Sequence, residues 1–302
     1  MRGERQVKPP SSLRRRILFV LGGAALISIC IIVSLFVLAG AFQIITVSYP
    51  SCPPLPDLSA VSPEIQLVTF PSSDIERDTP AVLISGVSPR KNAVVIALPN
   101  TIPAELAAYV RGGYDVLVYT HRACLTNTPS TLGYREAMQV GDAIAYLESI
   151  GFERLQMTLH GFSAAGAAAM MAAEQFPGIG AVVAEGGYHQ FPERVHLDAA
   201  QIGEFSALFE AGAHITYRLL AGLEMSNLDP MGALDAAHFP PILLIYGSRE
   251  PGLEPARWMQ AANDSATLWE VEGAGHGNYV YIAPDEYAYR VVTFLDEVMQ
   301  QE

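Results

Sequence analysis

Apolar residues fall into three patterns along this chain, and each predicts a different element. The first is unbroken: from Ile17 to Phe42 there is no charged residue. A helix needs about 20 apolar residues at 1.5 Å each to cross a bilayer core. This run is long enough, Arg14-Arg15-Arg16 stands directly before it, and no charge follows until Asp57. The positive-inside rule therefore predicts a transmembrane signal anchor over residues 17–45. It places a basic stub (1–16) in the cytoplasm and the rest of the chain across the membrane. Ala39-Gly40-Ala41 offers the competing reading of a cleaved signal peptide, although the apolar run exceeds the usual h-region of about 7–15 residues. Residues 46–64 carry Pro50, Pro53, Pro54, Pro56 and Pro63, a composition that predicts a stiff linker holding the body off the membrane.

The second and third patterns alternate from residue 65 onward. Short apolar runs predict strands at Ile65–Phe70, Ala81–Ser85, Ala93–Leu98, Asp115–Thr120, Leu155–His160, Ala181–Glu185, Ile242–Tyr246 and Thr267–Val271. Amphipathic stretches lie between several of them. In Tyr134–Ile150, for example, Ala137, Val140, Ile144 and Leu147 recur at helical spacing. Continuous apolar strands interleaved with helices predict an α/β fold: a mostly parallel twisted sheet with helices on both faces. Residues 188–228 break the rhythm, being helical in pattern with no strand, and predict a small helical cap within a 65–302 domain.

Composition sharpens this picture at two points. Half of the 302 residues are hydrophobic and 16% are charged, which excludes a disordered polymer. The net charge of −13 is uneven: the stub is basic, and everything after it is strongly acidic. Such a body is a poor nucleic-acid binder, because phosphate affinity comes mainly from cationic side chains. Of the three cysteines, Cys30 lies in the anchor. Cys52 and Cys124 would share an oxidising compartment, where a disulfide is allowed; the sequence leaves open whether they pair or stand as two small buried thiols. No Cys-x-x-Cys pair or His/Cys cluster has metal-ligand spacing, and no G-x-G-x-x-G or P-loop follows a strand. No cofactor is implied.

Chemistry concentrates in three places. His160-Gly161-Phe162-Ser163-Ala164-Ala165-Gly166 ends a predicted strand and opens an Ala-rich helix. A serine on such a turn is held in the open beside a helix N-terminus, and small residues let the strand and helix approach. Ala165 stands where the G-x-S-x-G pattern has its second glycine. His276, framed by Gly275 and Gly277, follows the last strand and can serve as general base. Glu250 is the first carboxylate after the Ile242–Tyr246 strand and can orient that histidine. The chain order serine, acid, histidine is the one this architecture requires.

With these residues the sequence resembles the α/β-hydrolase superfamily, and is similar to its membrane-anchored, BEM46-like branch. The resemblance spans roughly residues 65–298. It includes Gly113–Tyr119 ahead of His121-Arg122, Asn227-Leu228-Asp229-Pro230 ahead of Pro240–Leu244, and Pro284-Asp285-Glu286-Tyr287 before the last helix. It implies an α/β-hydrolase fold with Ser163, Glu250 and His276 as the triad. It also implies an oxyanion hole from the amide of Ala164 and one from the loop after Leu98. Members usually carry His-Gly on that loop. Here it reads Pro99-Asn100-Thr101, so the second donor would be Asn100 or Thr101, because proline has no N–H.

These features predict a serine hydrolase of esterase or acyl-hydrolase type, acting on an ester, thioester or amide of a small molecule or lipid. A non-catalytic binding protein on the same scaffold is the alternative, suggested by the missing His-Gly, and an acyltransferase would share the triad. Asp229 is a rival acid, but it precedes its strand and reads as a turn residue. Asp264 and Asp285 fall on other loops. His189, His196 and His214 belong to the cap and read as packing or surface residues.

Overall fold

The computed structural model describes residues 11–62, 64–87 and 92–299. Eight strands form one sheet: β1 (Ile65–Phe70), β2 (Thr79–Ile84), β3 (Val94–Ala97), β4 (Asp115–Tyr119), β5 (Met157–Phe162), β6 (Ala181–Glu185), β7 (Ile242–Gly247) and β8 (Ala266–Val271). Their order is β1-β2-β4-β3-β5-β6-β7-β8. β1 pairs antiparallel with β2 and β2 with β4, whereas every pairing from β4 to β8 is parallel.

The helices follow in chain order: α1 (Ser11–Ser48), α2 (Pro103–Arg111), α3 (Arg122–Thr126), α4 (Tyr134–Ser149), α5 (Ala164–Gln175), α6 (Phe191–Ala200), α7 (Ser206–Ala221), α8 (Pro230–Ala233), α9 (Leu253–Ala262), α10 (Tyr279–Ile282) and α11 (Pro284–Met299). Alternation along each strand sorts them into two layers. Ile96, Leu117 and Leu159 join the core under α4 and α5; Val95, Val116 and Val118 join the one under α2 and α11. Every residue of β3, β4 and β6 is buried. This explains why they read as solid apolar runs: a parallel sheet covered on both faces has no solvent side. The architecture is the α/β-hydrolase fold. α6 and α7 lie between β6 and β7, in the stretch that reads as a cap.

Most strand ends shift by a residue or two from the sequence pattern, and two of the differences matter. β5 starts at Met157, because Arg154–Gln156 forms a single 3-10 turn, and it continues to Phe162, directly into Ser163. α1 continues to Ser48, because no proline intervenes and its last turns are packed. Phe36 stacks on Phe205 at 4.4 Å. Ile44 is fully buried, and the Ser48 carbonyl accepts from the Ser130 amide at 2.7 Å. At Gly40 a Cβ would lie 1.9 Å from the Phe209 carbonyl oxygen, and at Gly212 a Cβ would lie 2.0 Å from that of Val37. The two backbones touch.

The Pro-rich segment is therefore no stand-off spacer. Leu58 is buried in the core, and Cys52 is disulfide-bonded to Cys124, which settles the pairing left open above. Gly40→Leu should force α1 and α7 apart and lower stability by about 1–3 kcal/mol, the usual cost of overpacking. Thermal unfolding of the detergent-solubilised full chain would show it as a lowered Tm.

Candidate active site

The turn from β5 into α5 is tight. Ser163 has φ 58° and ψ −123°, a region costly for a side-chain-bearing residue by about 1–3 kcal/mol. The surrounding backbone enforces it. The Ser163 amide donates to the Glu185 carbonyl on β6 at 2.7 Å, and its carbonyl accepts from the Ala167 amide at 3.2 Å. A Cβ on Gly161 would lie 2.3 Å from the Ala165 carbonyl oxygen, and one on Gly166 would lie 2.9 Å from that of Gly161. The close approach thus falls on Gly161 and Gly166. The Ala165 methyl, at the position of the second glycine in the G-x-S-x-G pattern, packs at the margin of the core.

The structure brings Ser163, His276 and Glu250 into one chain of contacts. His276 Nε2 lies 3.1 Å from Ser163 Oγ, and His276 Nδ1 lies 2.8 Å from Glu250 Oε2. Phe162 packs on the imidazole, with ring centroids 4.7 Å apart. A Cβ on Gly186 would come within 2.8 Å of that ring, so glycine is required there for space. The Glu250 side chain is only 3% exposed. Its Oε1 accepts from the Gly247 amide at 2.6 Å and from the Tyr279 hydroxyl at 2.9 Å. These two donors hold the carboxylate in place beneath the imidazole. Burial and the Glu250 charge hold the Tyr279 phenol above its ordinary range, so it remains a donor.

The loop after β3 is a turn of type II character. Pro99 occupies its second position, Asn100 follows at φ 85°, and the Thr101 amide closes back on the Leu98 carbonyl at 3.3 Å. Thr101 has thus spent its N–H within the turn. The Asn100 amide makes no backbone bond among the described residues. The loop lines the same cavity as Ser163 and Ala164. Of the two donors considered, Asn100 is the one with an amide to offer.

The rival residues lie elsewhere. Asp229 caps α8, accepting from the Gly232 amide at 3.0 Å. Asp285 sits in the first turn of α11, and Asp264 is exposed on the turn before β8. His189 packs on Trp258, and His196 pairs with Glu210 at 2.9 Å. His214 is exposed on α7.

Sequence reasoning missed a buried cluster behind the serine. Glu105, His160 and Glu185 bring potential ligand atoms within 4.8 Å of one another, all buried. His160 Nε2 and Glu185 Oε1 are 3.0 Å apart, and the Tyr287 hydroxyl also donates to Glu185. Glu105 accepts from the Ile102 amide at 3.0 Å, just past the turn at Asn100. Burial, aggravated by the nearby Glu185, pushes the Glu105 carboxyl up to about 9. The only trace in the sequence is a glutamate three residues into a helix, which reads as a cap.

One cavity of about 1130 Å³ unites these parts. Ser163, Ala164 and His276 lie on its floor, α6 forms one wall, and the last turns of α1 with residues 49–57 form another.

No family model matches the sequence, and no curated protein does. Solved structures do resemble it. An esterase from Pyrococcus furiosus superposes with a TM-score of 0.62 at 18% identity, covering 84% of this chain and 98% of that one. An acylaminoacyl peptidase from Pyrococcus horikoshii gives 0.60 at 14% identity, covering 79% of this chain and 42% of that longer one. Esterase 2 of Thermogutta terrifontis, in a form phosphoramylated by tabun, gives 0.57 at 14% identity, covering 80% and 96%. At these identities the likeness carries the fold.

Glu105 gives a testable pH dependence. Unfolded, its carboxyl titrates near 4.5; folded, it holds its proton up to about 9. Between those values the folded state carries the extra proton, so this residue's contribution to stability falls as pH rises. Glu105→Gln copies the protonated form and keeps an acceptor for Ile102. Its Tm relative to wild type should therefore rise more at pH 8.5 than at pH 5. An equal change at both would show that Glu105 is ionised in the fold.

Proposed function

We propose that this chain is a membrane-anchored serine hydrolase of the esterase or acyl-hydrolase type. The observation that carries the reading is the contact chain from Ser163 through His276 to Glu250, at 3.1 and 2.8 Å, on a strained strand-to-helix turn. The esterase and peptidase neighbours support it. In this reading Ser163 Oγ attacks the acyl carbonyl as its proton passes to His276 Nε2. Glu250 stabilises the imidazolium that forms. The oxyanion is held by the Ala164 amide, at the start of α5 where helix N–H groups are free, and by the amide of Asn100. His276 then returns the proton to the departing alcohol. Water, activated by the same histidine, releases the acyl group from Ser163.

α1 supports the anchoring: it contains a 35-residue span apolar enough to cross a membrane, with only 6% of its most apolar window buried. Arg14-Arg15-Arg16 before it and the disulfide after it support a cytoplasmic N-terminus and an extracytoplasmic body. This layout fits the membrane-anchored branch that the sequence resembles.

A fluorophosphonate probe should label the full chain in detergent, and Ser163→Ala should abolish the label. Ser163→Ala and His276→Ala should each lower ester turnover by a factor on the order of 10⁴ or more. A folded protein that takes no label would instead favour the binding-protein reading.

A further inference from the structure

α1 has two parts. From Ile17 to Leu35 its residues are exposed and apolar or small; at 1.5 Å per residue this stretch spans about 28 Å, close to the hydrocarbon thickness of a bilayer. From Phe36 onward one face turns onto the body, through Phe36, Gly40, Ile44 and Ser48. The Gln43 side chain donates to Asp198 of α6 at 2.7 Å. The membrane-length segment thus leads without a joint into the part that packs on α6 and α7. The chain then runs along the cavity from Tyr49 to Asp57 and is pinned midway by the Cys52–Cys124 bond.

The cavity therefore reaches from the reactive serine to the turns of α1 that leave the bilayer. Its volume, about 1130 Å³, lies at or above the upper end of ordinary small-molecule sites, roughly 300–1,000 Å³. Val47, Leu132, Phe162, Tyr188, Phe191 and Val195 give it a mainly apolar lining. Arg194 and Asp198, the opposite charges on its α6 wall, pair with each other at 3.2 Å. A short ester leaves most of this space empty.

We propose that the site takes long-chain acyl esters directly from the bilayer that holds α1, with the last turns of α1 serving as a wall of the acyl channel. The inference rests on the serine-hydrolase reading above and adds the substrate class and its route of entry. The chain slides from the lipid along Val47 and between α6 and the 49–57 segment, which brings its ester carbonyl to Ser163.

The test uses the full chain in phospholipid nanodiscs with p-nitrophenyl butyrate and p-nitrophenyl palmitate. Palmitate placed in the enzyme's own disc should be cleaved at least ten-fold faster than palmitate confined to separate vesicles. Val47→Trp, at a position half exposed in the folded chain and therefore tolerant of bulk, should lower the palmitate-to-butyrate ratio of kcat/KM about ten-fold or more. A melting curve reports whether the variant is folded. Equal rates from the two locations, or an unchanged ratio in folded Val47→Trp, would overturn the proposal while leaving a hydrolase. Cleavage of neither ester, with no fluorophosphonate label, would overturn the hydrolase reading and this inference with it.

Discussion

The site depends on how closely β5, α5 and β6 can approach. Gly161 and Gly166 permit a backbone contact that a single methyl would block, and that contact holds Ser163 at a positive φ. The Ser163 amide is tied to the Glu185 carbonyl, so the strain is borne by the sheet and not by a loose loop. Held this way, the serine hydroxyl meets His276, whose own loop needs Gly277 at φ 81° to pass Phe162. A displacement at any of these contacts would move the serine hydroxyl away from the imidazole.

Beneath this arrangement lies a polar cluster that a packed interior would normally reject. Burial, with Glu185 close by, raises the Glu105 carboxyl well above the usual carboxylate range. The cluster touches every part of the site from behind: Glu105 bonds Ile102 beyond the Asn100 turn, His160 precedes the serine turn, and Glu185 is the strand residue that fixes it. Two of its atoms, His160 Nδ1 and Glu185 Oε2, have no hydrogen-bond partner among the described residues. The polar groups trade core stability for a fixed relation between three elements.

Much of this could be read from residue order because the signals are local. The eight strands are apolar runs of sheet length, and the serine turn announces itself by small residues on both sides. Glu250 and His276 are legible because the architecture dictates which loop each must follow. What escaped is long-range. That Thr101 closes its own turn depends on backbone geometry, and the Glu105 cluster joins residues from α2, β5 and β6 that no window connects. The docking of α1 was hidden for a different reason: a run apolar all round looks the same whether one face meets lipid or protein. Gly40 and Gly212 were its only marks, and each looks ordinary in isolation.

That docking bears on how the chain matures. The Ala39-Gly40-Ala41 segment, which reads as a cleavage motif, lies inside α1 with Gly40 buried against Phe209. A peptidase that binds extended substrate can reach it only before α1 and α7 have met. A chain cut there would lose Phe36 and Gly40, and with them the contacts to Phe205 and Phe209, so the leader is a structural part of the folded body rather than a disposable address.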